Sequence, residues 1–596
     1  MPMLATKEER KVIRDQFLAD NTVIVNHIAL KIAQYLDGIE DLKDKIVTKE
    51  LFQNANKIER VAESIAWTLA TIGEGEKPLQ SVAGMFRKTI TNDDSLVQDI
   101  HAMKIAMEIL FHLEPVERIA ISRNGHIMVV SNIYDKNLET VNSYLPLTTP
   151  SFQHKRLGNF QWSLTSTDAL EKLARVPFRV IEIEEEDIPF PPSDDFSTEG
   201  IKKREQATKQ FWRRTIANGY KDTPIYFSWG SDYRGRAYPV GYWLNPQGTE
   251  LEKAQLELWN KKKLDVHGII ALSNYIASLA GLDKETDEKK REWFKHNEYR
   301  LERFESQSEE PHLYCQAVKA WRNRENPTGF MVEVDATQSQ IQLLSILLKS
   351  KKIAQTCNVA PRYDASGNQL KADAWQEIAD AMTDILKGKV YRGQVKRSAM
   401  ILLYGAGERR IKQQLQEDFA IDDATAIYQI FMEAIQRVFP GMVELMSAIN
   451  GLWNREWKER SFYMPDGFKV TMKPTGSEWV DFKLFGKISI TAKCSGTTLD
   501  DHPLFVFVNL IHAIDSYIIR EIVRRASFDL YTIHDAVRVH PNDAGKVQLL
   551  YKQILIEMLQ QPILANFIKD LTGNDFPDIS GDLTADDIIK SRYAMS

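Results

Sequence analysis

The segment at 183–196, IEEEDIPFPPSDDF, sets the strongest limit on how this chain folds. Its three prolines lack a backbone donor and fix φ, and its acidic run presents no apolar face. Neither a helix interior nor a central strand accommodates such a stretch, so it reads as a linker or an extended crossing. It divides a front part from a longer remainder. At 596 residues the chain in any case exceeds a single core, and two to four domains are expected.

The front part is helical. Residues 7 to 115 carry apolar side chains three and four apart, as in LVQDIHAMKIAMEILFHL at 96–113. The pattern changes over 118–165, where ERIAISRNGHIMVVSNIYD alternates around an Asn-Gly pair and predicts a β-hairpin. Behind the acidic segment, STEGIKKREQATKQFWRR at 197–214 predicts a helix capped by Ser197. Lys202, Lys203, Arg204, Lys209, Arg213 and Arg214 crowd it, which suits either a solvated face or a helix that tracks phosphates.

Composition removes several classes. The net charge of −6 argues against a general nucleic-acid coat but leaves room for a local basic cleft. Cys315, Cys357 and Cys494 are odd in number and far apart, without metal-ligand spacing or a disulfide framework, which fits a reducing cytoplasm. No apolar run reaches the ~18 residues of a membrane span, and the charged start MPMLATKEER has no apolar signal core. No membrane partner is expected.

Three segments carry chemistry. GFMVEVDATQSQIQLLSILL at 329–348 is an apolar strand ending at Asp335, then a polar turn and an apolar helix. FDLYTIHDAVRVHP at 528–541 is two β runs flanking His534 and Asp535. A carboxylate at the end of a buried strand is a common place to hold a metal, although either aspartate alone reads first as a cap or turn residue. Magnesium accepts few carboxylates and completes its shell with water and substrate phosphate. In VKRSAMILLYGAGERR at 395–410, Lys396 lies on one helical face with Arg392, four residues before it. They suit a triphosphate as point charge and fork. Tyr404 follows about two turns beyond Lys396, toward the same side, where a sugar and base would sit. Gly405 leaves room there. On its own Tyr404 would read as a core residue.

WGSDYRGRAYPVGYWLNPQG at 229–248 interleaves aromatics with Arg234 and Arg236, which suits base stacking and phosphate contact as well as an irregular loop packed on a core. With this segment the chain resembles the single-subunit DNA-directed RNA polymerases of the bacteriophage and mitochondrial type, as a compact phage-like member. DYRGRAY…NPQG is similar to that family's Asp-aromatic-Arg-Gly-Arg element, VDATQSQIQ to motif A, RGQVKRSAMILLYG to motif B and IHDAVRVHP to motif C. AGLDKETDEKKREWF resembles the segment whose lysine meets the triphosphate, here Lys284. NLIHAID resembles the element that grips the primer–template minor groove, here His512. DDIIKSRYAMS resembles the aromatic C-terminal foot. The likeness covers roughly 180 to 596.

The resemblance implies an α+β, mostly helical right hand with a reduced N-terminal domain at 1–183. A thumb is expected at 184–221, a first palm part at 222–360, fingers at 361–511 and a second palm part at 512–596. Asp335, Asp535 and the Ala336 carbonyl would hold two Mg2+ ions. Arg392, Lys396 and Lys284 would bind the incoming nucleotide, with Lys396 assisting departure of pyrophosphate. Tyr404 would check the ribose 2′-OH. Arg234, Arg236, Tyr238 and His512 would meet template or hybrid, and His534 would steady the RNA end. DNA template, RNA product and nucleoside triphosphates are the implied partners. Gln340, Leu343 and Ala536 stand where the family usually has glycine, histidine and serine. The short front part leads us to expect either a template-recruiting protein or a template that is already open. A candidate recognition hairpin is read at 468–493, with Asp481, Lys483, Lys487, Ser489 and Thr491 able to face a major groove; a fingers hairpin with a charged face fits as well. A DNA polymerase of similar fold, a primase and an inactive nucleic-acid-binding scaffold remain as competing readings. Tyr404 favours ribonucleotides, and the intact Asp335, Asp535, Arg392 and Lys396 speak against a scaffold.

Overall fold

A computed structural model describes residues 7–39, 48, 51–52, 55–71, 77–91, 95–113, 117–121, 127–131, 146–152, 155–157, 164–192, 198–240, 243–454, 456–484, 488–497 and 505–596. The fold is α+β and mostly helical, with small sheets. Two compact units divide the chain. One comprises 1–145, 191–201 and 473–501; the other comprises 146–190, 202–472 and 502–596.

The first unit is built on the amphipathic helices expected at the front. Lys7–Asp20, Thr22–Asp37, Ala55–Thr71, Leu79–Ile90 and Leu96–His112 bury their apolar stripes together. Ser95 caps the last, its Oγ accepting from the Gln98 amide at 3.3 Å. The predicted hairpin is present as Glu117–Ile121 paired antiparallel with Ile127–Ser131; its Asn-Gly turn lies outside the described residues. A long hairpin from far along the chain, Thr475–Leu484 with Ile488–Thr497, completes this core. Its inward residues Phe482, Leu484, Ile490, Ala492 and Cys494 join the same apolar cluster as Phe86 and Met107. Asp99 fastens it: this fully buried carboxylate pairs with Arg87 at 3.0 Å and Lys88 at 3.1 Å, and accepts from the Ser495 amide at 3.1 Å. Strand alternation then leaves Trp479, Asp481, Lys483, Ser489, Thr491 and Lys493 exposed on the other face. Lys487 lies outside the described residues. Lys469–Met472 belongs to a separate hairpin with Arg460–Tyr463, and Pro474, which has no amide donor, separates the two.

The second unit holds the chemistry-bearing segments. Its central sheet has the order Leu530–Ile533, Ala536–Val539, Val332–Asp335, all antiparallel. Every residue of the middle strand is buried. Arg538 within it is 1% exposed, and it donates to the Tyr531 hydroxyl and the Met331 carbonyl at 3.0 Å each. A smaller sheet pairs Trp229–Asp232 with Ala237–Pro239. The helix Phe505–Arg525 carries Asn509, His512, Asp515 and Arg520, three to five residues apart, toward that smaller sheet.

The basic helix is Thr198–Gly219, and Ser197 lies outside the described residues. Two of its arginines are paired with the acidic segment, Arg213 buried and Arg214 partly exposed. Arg213 pairs with Glu185 at 2.7 Å with both side chains nearly buried, and Arg214 bonds to Asp187 and to the Glu185 carbonyl. Gln210 donates to the Glu186 carbonyl at 2.5 Å and accepts from the Ile188 amide at 2.8 Å. Residues 185–188 of the acidic segment therefore lie along the helix as its counter-charge.

Candidate active site

Sheet register brings the two strand-end aspartates together. Asp335 pairs with Ala536 across the sheet, so Asp535, the next residue back, sits at the same edge. Ile533 pairs with Ala536, leaving His534 and Asp535 as a two-residue connection. His534 takes left-handed backbone there, φ 54°, a conformation costing a non-glycine residue about 1 kcal/mol or more and favoured in tight hairpin loops. Ala536 is small and buried directly opposite Asp335.

The Asp335 strand is also pinned on its other side. Its amide donates to the Ser596 carbonyl at 3.2 Å, its carbonyl accepts from the Ser596 amide at 2.9 Å, and the Thr337 amide donates to the Ala594 carbonyl at 3.1 Å. Carbonyls alternate along an extended strand. The Ala336 carbonyl consequently faces away from Ser596, toward the His534–Asp535 turn. Behind it the buried Gln342 donates to the Thr337 hydroxyl and the Cys357 and Ala594 carbonyls, while Tyr551 donates to its Oε1. Leu343 is fully inside the core, and Gln340 is half-buried on the same helix, Ser339–Leu347.

Asp335 is open to solvent and yet crowded by protein, as a group on a cleft floor is. Burial and the nearby Asp535 push its carboxyl up to about 8. Two carboxylates that repel one another beside an outward carbonyl are a donor set suited to magnesium, which needs only one or two carboxylates from the protein. Among the described residues no cluster of three or more His, Cys, Asp or Glu competes as a denser metal site.

The loop between Asp232 and Ala237 forms the second wall. Asp232 Oδ1 accepts from the Arg234 and Arg236 amides at 3.0 and 2.9 Å, which shapes the turn. Gly235 takes φ +89°, and a Cβ there would lie 2.1 Å from Arg520 Nη1. Arg236 Nη2 donates to Asp515 Oδ2 at 2.8 Å, and Tyr233 donates to Asn509 at 2.8 Å. Arg234 Nη1 reaches His512 Nδ1 at 2.7 Å. A guanidinium only donates, so Nδ1 accepts and the ring proton must sit on Nε2. That Nε2 is buried and has no partner among the described residues. Burial and the adjacent Arg236 and Arg234 lower His512 to about 3, so the ring is neutral at ordinary pH. The Tyr238 ring meets His534 edge-on, centroids 5.9 Å apart, and burial and Arg236 lower the His534 pKa.

The third wall is the helix Arg392–Leu403. It buries Val395, Ser398, Ala399, Leu402 and Leu403 and turns Arg392 and Lys396 outward on one face. Arg392 Nε pairs with Asp373 at 2.5 Å; Lys396 makes no ion pair with a described residue. Tyr404 caps the helix, with Gly405 at φ 78° after it. The Tyr404 ring tilts against His512, centroids 5.6 Å apart. Burial raises its pKa, and the charges of Asp535 and Asp515 add to the effect. Tyr404, His512, Arg236, Asp515 and Asp535 thus share one neighbourhood. Lys284 is exposed and bonded to Asp283, close enough for its charge to act on Asp335.

Two members of the site were missed in the sequence. Asp515 is 6% exposed, and burial together with Asp535 pushes it up to about 7 despite its bond to Arg236. Its signal was a carboxylate inside the mostly apolar FVFVNLIHAIDSYII, three residues after His512. Asp373 caps Ala374–Leu386 and steadies Arg392; an Asp before an apolar helix was its only signal.

No protein-family model matches the chain. A Neurospora crassa protein described as a probable DNA-directed RNA polymerase is 28% identical over 225 residues, 34% of this chain and 25% of its own. The mitochondrial DNA-directed RNA polymerase 1 of Arabidopsis thaliana is 24% identical over 447 residues, 63% of this chain and 45% of its own. The DNA-directed RNA polymerase of Pseudomonas phage phiKMV is 21% identical over 480 residues, 66% of this chain and 58% of its own. The chain spans about half the length of the plant and phage relatives it matches and a quarter of the fungal one.

Proposed function

We propose, from homology to the mitochondrial and phage type of single-subunit DNA-directed RNA polymerase, that this chain synthesises RNA on a DNA template from ribonucleoside triphosphates. The observation that carries the reading is the pairing of Asp335 with Ala536, which sets two aspartates about 200 residues apart at one sheet edge facing Tyr404 and His512. The three-stranded sheet is then the palm, the helices around Arg392–Leu403 the fingers and Thr198–Gly219 the thumb, with 473–501 belonging to the first unit and not to the fingers.

In this reading the RNA 3′-oxygen attacks the α-phosphorus of the bound nucleotide. A new phosphodiester bond forms as the 3′-hydroxyl gives its proton to solvent, the bond to the bridging oxygen breaks, and pyrophosphate leaves with the electron pair. Asp335, Asp535 and the Ala336 carbonyl would hold magnesium, which would supply positive charge to offset the negative charge at the reacting oxygens. Arg392, fixed by Asp373, and Lys396, which makes no ion pair with a described residue, hold the triphosphate, and Lys396 gives a proton to the departing pyrophosphate. Tyr404 offers a hydroxyl to the ribose 2′-OH, so a deoxyribose leaves that hydroxyl unpaired. The His512 Nε2–H is a donor for the minor-groove acceptors every base pair presents. Arg234, Arg236 and Tyr238 line the nucleic-acid side, and His534 steadies the RNA end.

No helix among the described residues is long and apolar enough to cross a membrane. The plant relatives are named mitochondrial or chloroplastic, which favours an organelle over the cytoplasm expected from the cysteines. Incubation with Mg2+, four ribonucleotides and single-stranded or duplex DNA tests the activity. Template-complementary RNA, absent with Asp535→Asn, is expected. Incorporation of deoxynucleotides in preference, or no product on either template, sinks the proposal.

A further inference from the structure

Two lysines beside the aspartate pair form no ion pair with a carboxylate among the described residues, although Asp283 and Asp287 act on them at longer range. Lys290, on the helix Asp287–Asn297, is 4% exposed, and among the described residues it forms no ion pair; its charge acts on Lys371. Lys371 donates to the Asp283 carbonyl at 2.8 Å and to the Ser596 hydroxyl at 3.0 Å, and it too lacks an ion pair among the described residues. Asp283 is engaged by Lys284, which adds a third cation. Charge buried without a counter-charge is costly. Burial lowers the pKa of both lysines. Burial and Lys290 bring Lys371 down to about 7, with Asp283, Asp287 and Lys284 as the other charges facing it.

The place of this cluster is informative. Lys284 acts on Asp335, and Ser596, whose hydroxyl Lys371 holds, exchanges two backbone bonds with Asp335. Two residues beyond Lys371, Asp373 receives Arg392. Lys371 therefore lies on the segment that joins the aspartate edge to the helix carrying Arg392 and Lys396.

We propose that Lys290 and Lys371 form a polyphosphate shelf, which takes the terminal phosphates of the incoming nucleotide or the pyrophosphate released from it. The proposal rests on the polymerase reading. The anion is the missing counter-charge, and with it in place both amines hold their protons.

Isothermal titration with inorganic pyrophosphate and, separately, with ATP tests this in the presence of Mg2+ and without template. The proteins compared are wild type, Lys371→Met, Lys371→Arg and Lys290→Met. Binding at least tenfold weaker in Lys371→Met is expected, with Lys371→Arg within threefold of wild type. Loss with pyrophosphate alone assigns the shelf to the product, and loss with both probes assigns it to the incoming nucleotide as well. Melting temperatures of the methionine variants should equal or exceed wild type, since each removes an unneutralised buried charge. Affinities within twofold of wild type for both probes overturn the proposal, as does a lower melting temperature with binding intact, which would make the lysines structural. Binding is read without RNA synthesis, so failure to make RNA counts against the polymerase reading separately.

Discussion

Replacing Asp515 by asparagine should stabilise the protein at high pH while it damages the site. The native carboxyl is held near 7 by burial and Asp535, whereas in the unfolded chain it titrates near 4. Between those values the folded protein keeps a proton that the unfolded chain has released, so wild-type stability falls as pH rises through that window. The full difference corresponds to roughly 4 kcal/mol, of which about 2–3 kcal/mol lies between pH 5 and pH 8. Asparagine does not titrate, and its amide oxygen still accepts from Arg236, so this loss disappears. The stability of Asp515→Asn relative to wild type should therefore rise by up to ~2–3 kcal/mol from pH 5 to pH 8. Urea titrations at four pH values, followed by tryptophan fluorescence in EDTA, measure it. RNA synthesis should move the other way, at least ~10-fold down, because Arg236 loses the charge that fixes it. A stability difference that is flat with pH, or that falls toward pH 8, would refute the reasoning.

Asp335→Asn and Asp535→Asn should each lower nucleotide addition by ~10³-fold or more with unchanged circular dichroism, since an amide cannot neutralise a divalent cation; near-normal turnover in either removes the metal assignment. Tyr404→Phe should keep RNA synthesis and lower discrimination against deoxynucleotides about 10-fold or more, read as the ratio of kcat/KM values. Lys396→Ala should raise the nucleotide KM and leave template Kd unchanged; the reverse pattern would put Lys396 against nucleic acid. Asp99→Asn should destabilise the first unit by about 1–3 kcal/mol and speed hydrogen exchange at the Ser495 amide, and protected exchange there would show that the hairpin is held by apolar contacts alone.

What could be read in advance follows a physical divide. The strands ending at Asp335 and Asp535, the helix carrying Arg392 and Lys396, and the front helices announce themselves through local periodicity. Their mutual register does not, because nothing in VEVDATQ says which residue of a strand about 200 positions away will face it. Arg213 and Arg214 looked like a solvated or phosphate-tracking face, since their partners Glu185 and Asp187 sit in a segment that reads as a linker. The attachment of Phe482 and Ile490 to the front helices was equally hidden: an alternating hairpin states which face is apolar, not what covers it. Asp515 and Lys371 were overlooked because their interest lies in burial, which a single sequence does not display.

The antiparallel partnership of Val332–Asp335 with Ala536–Val539 also dictates when activity can appear during synthesis. A ribosome adding 5–20 residues per second reaches the second strand roughly 10–40 s after the first. Through that interval a short apolar strand waits with an open edge, the state in which strands pair with wrong partners. Nascent chains should thus pass through a long-lived inactive stage, and chaperones that cover exposed edges would act there.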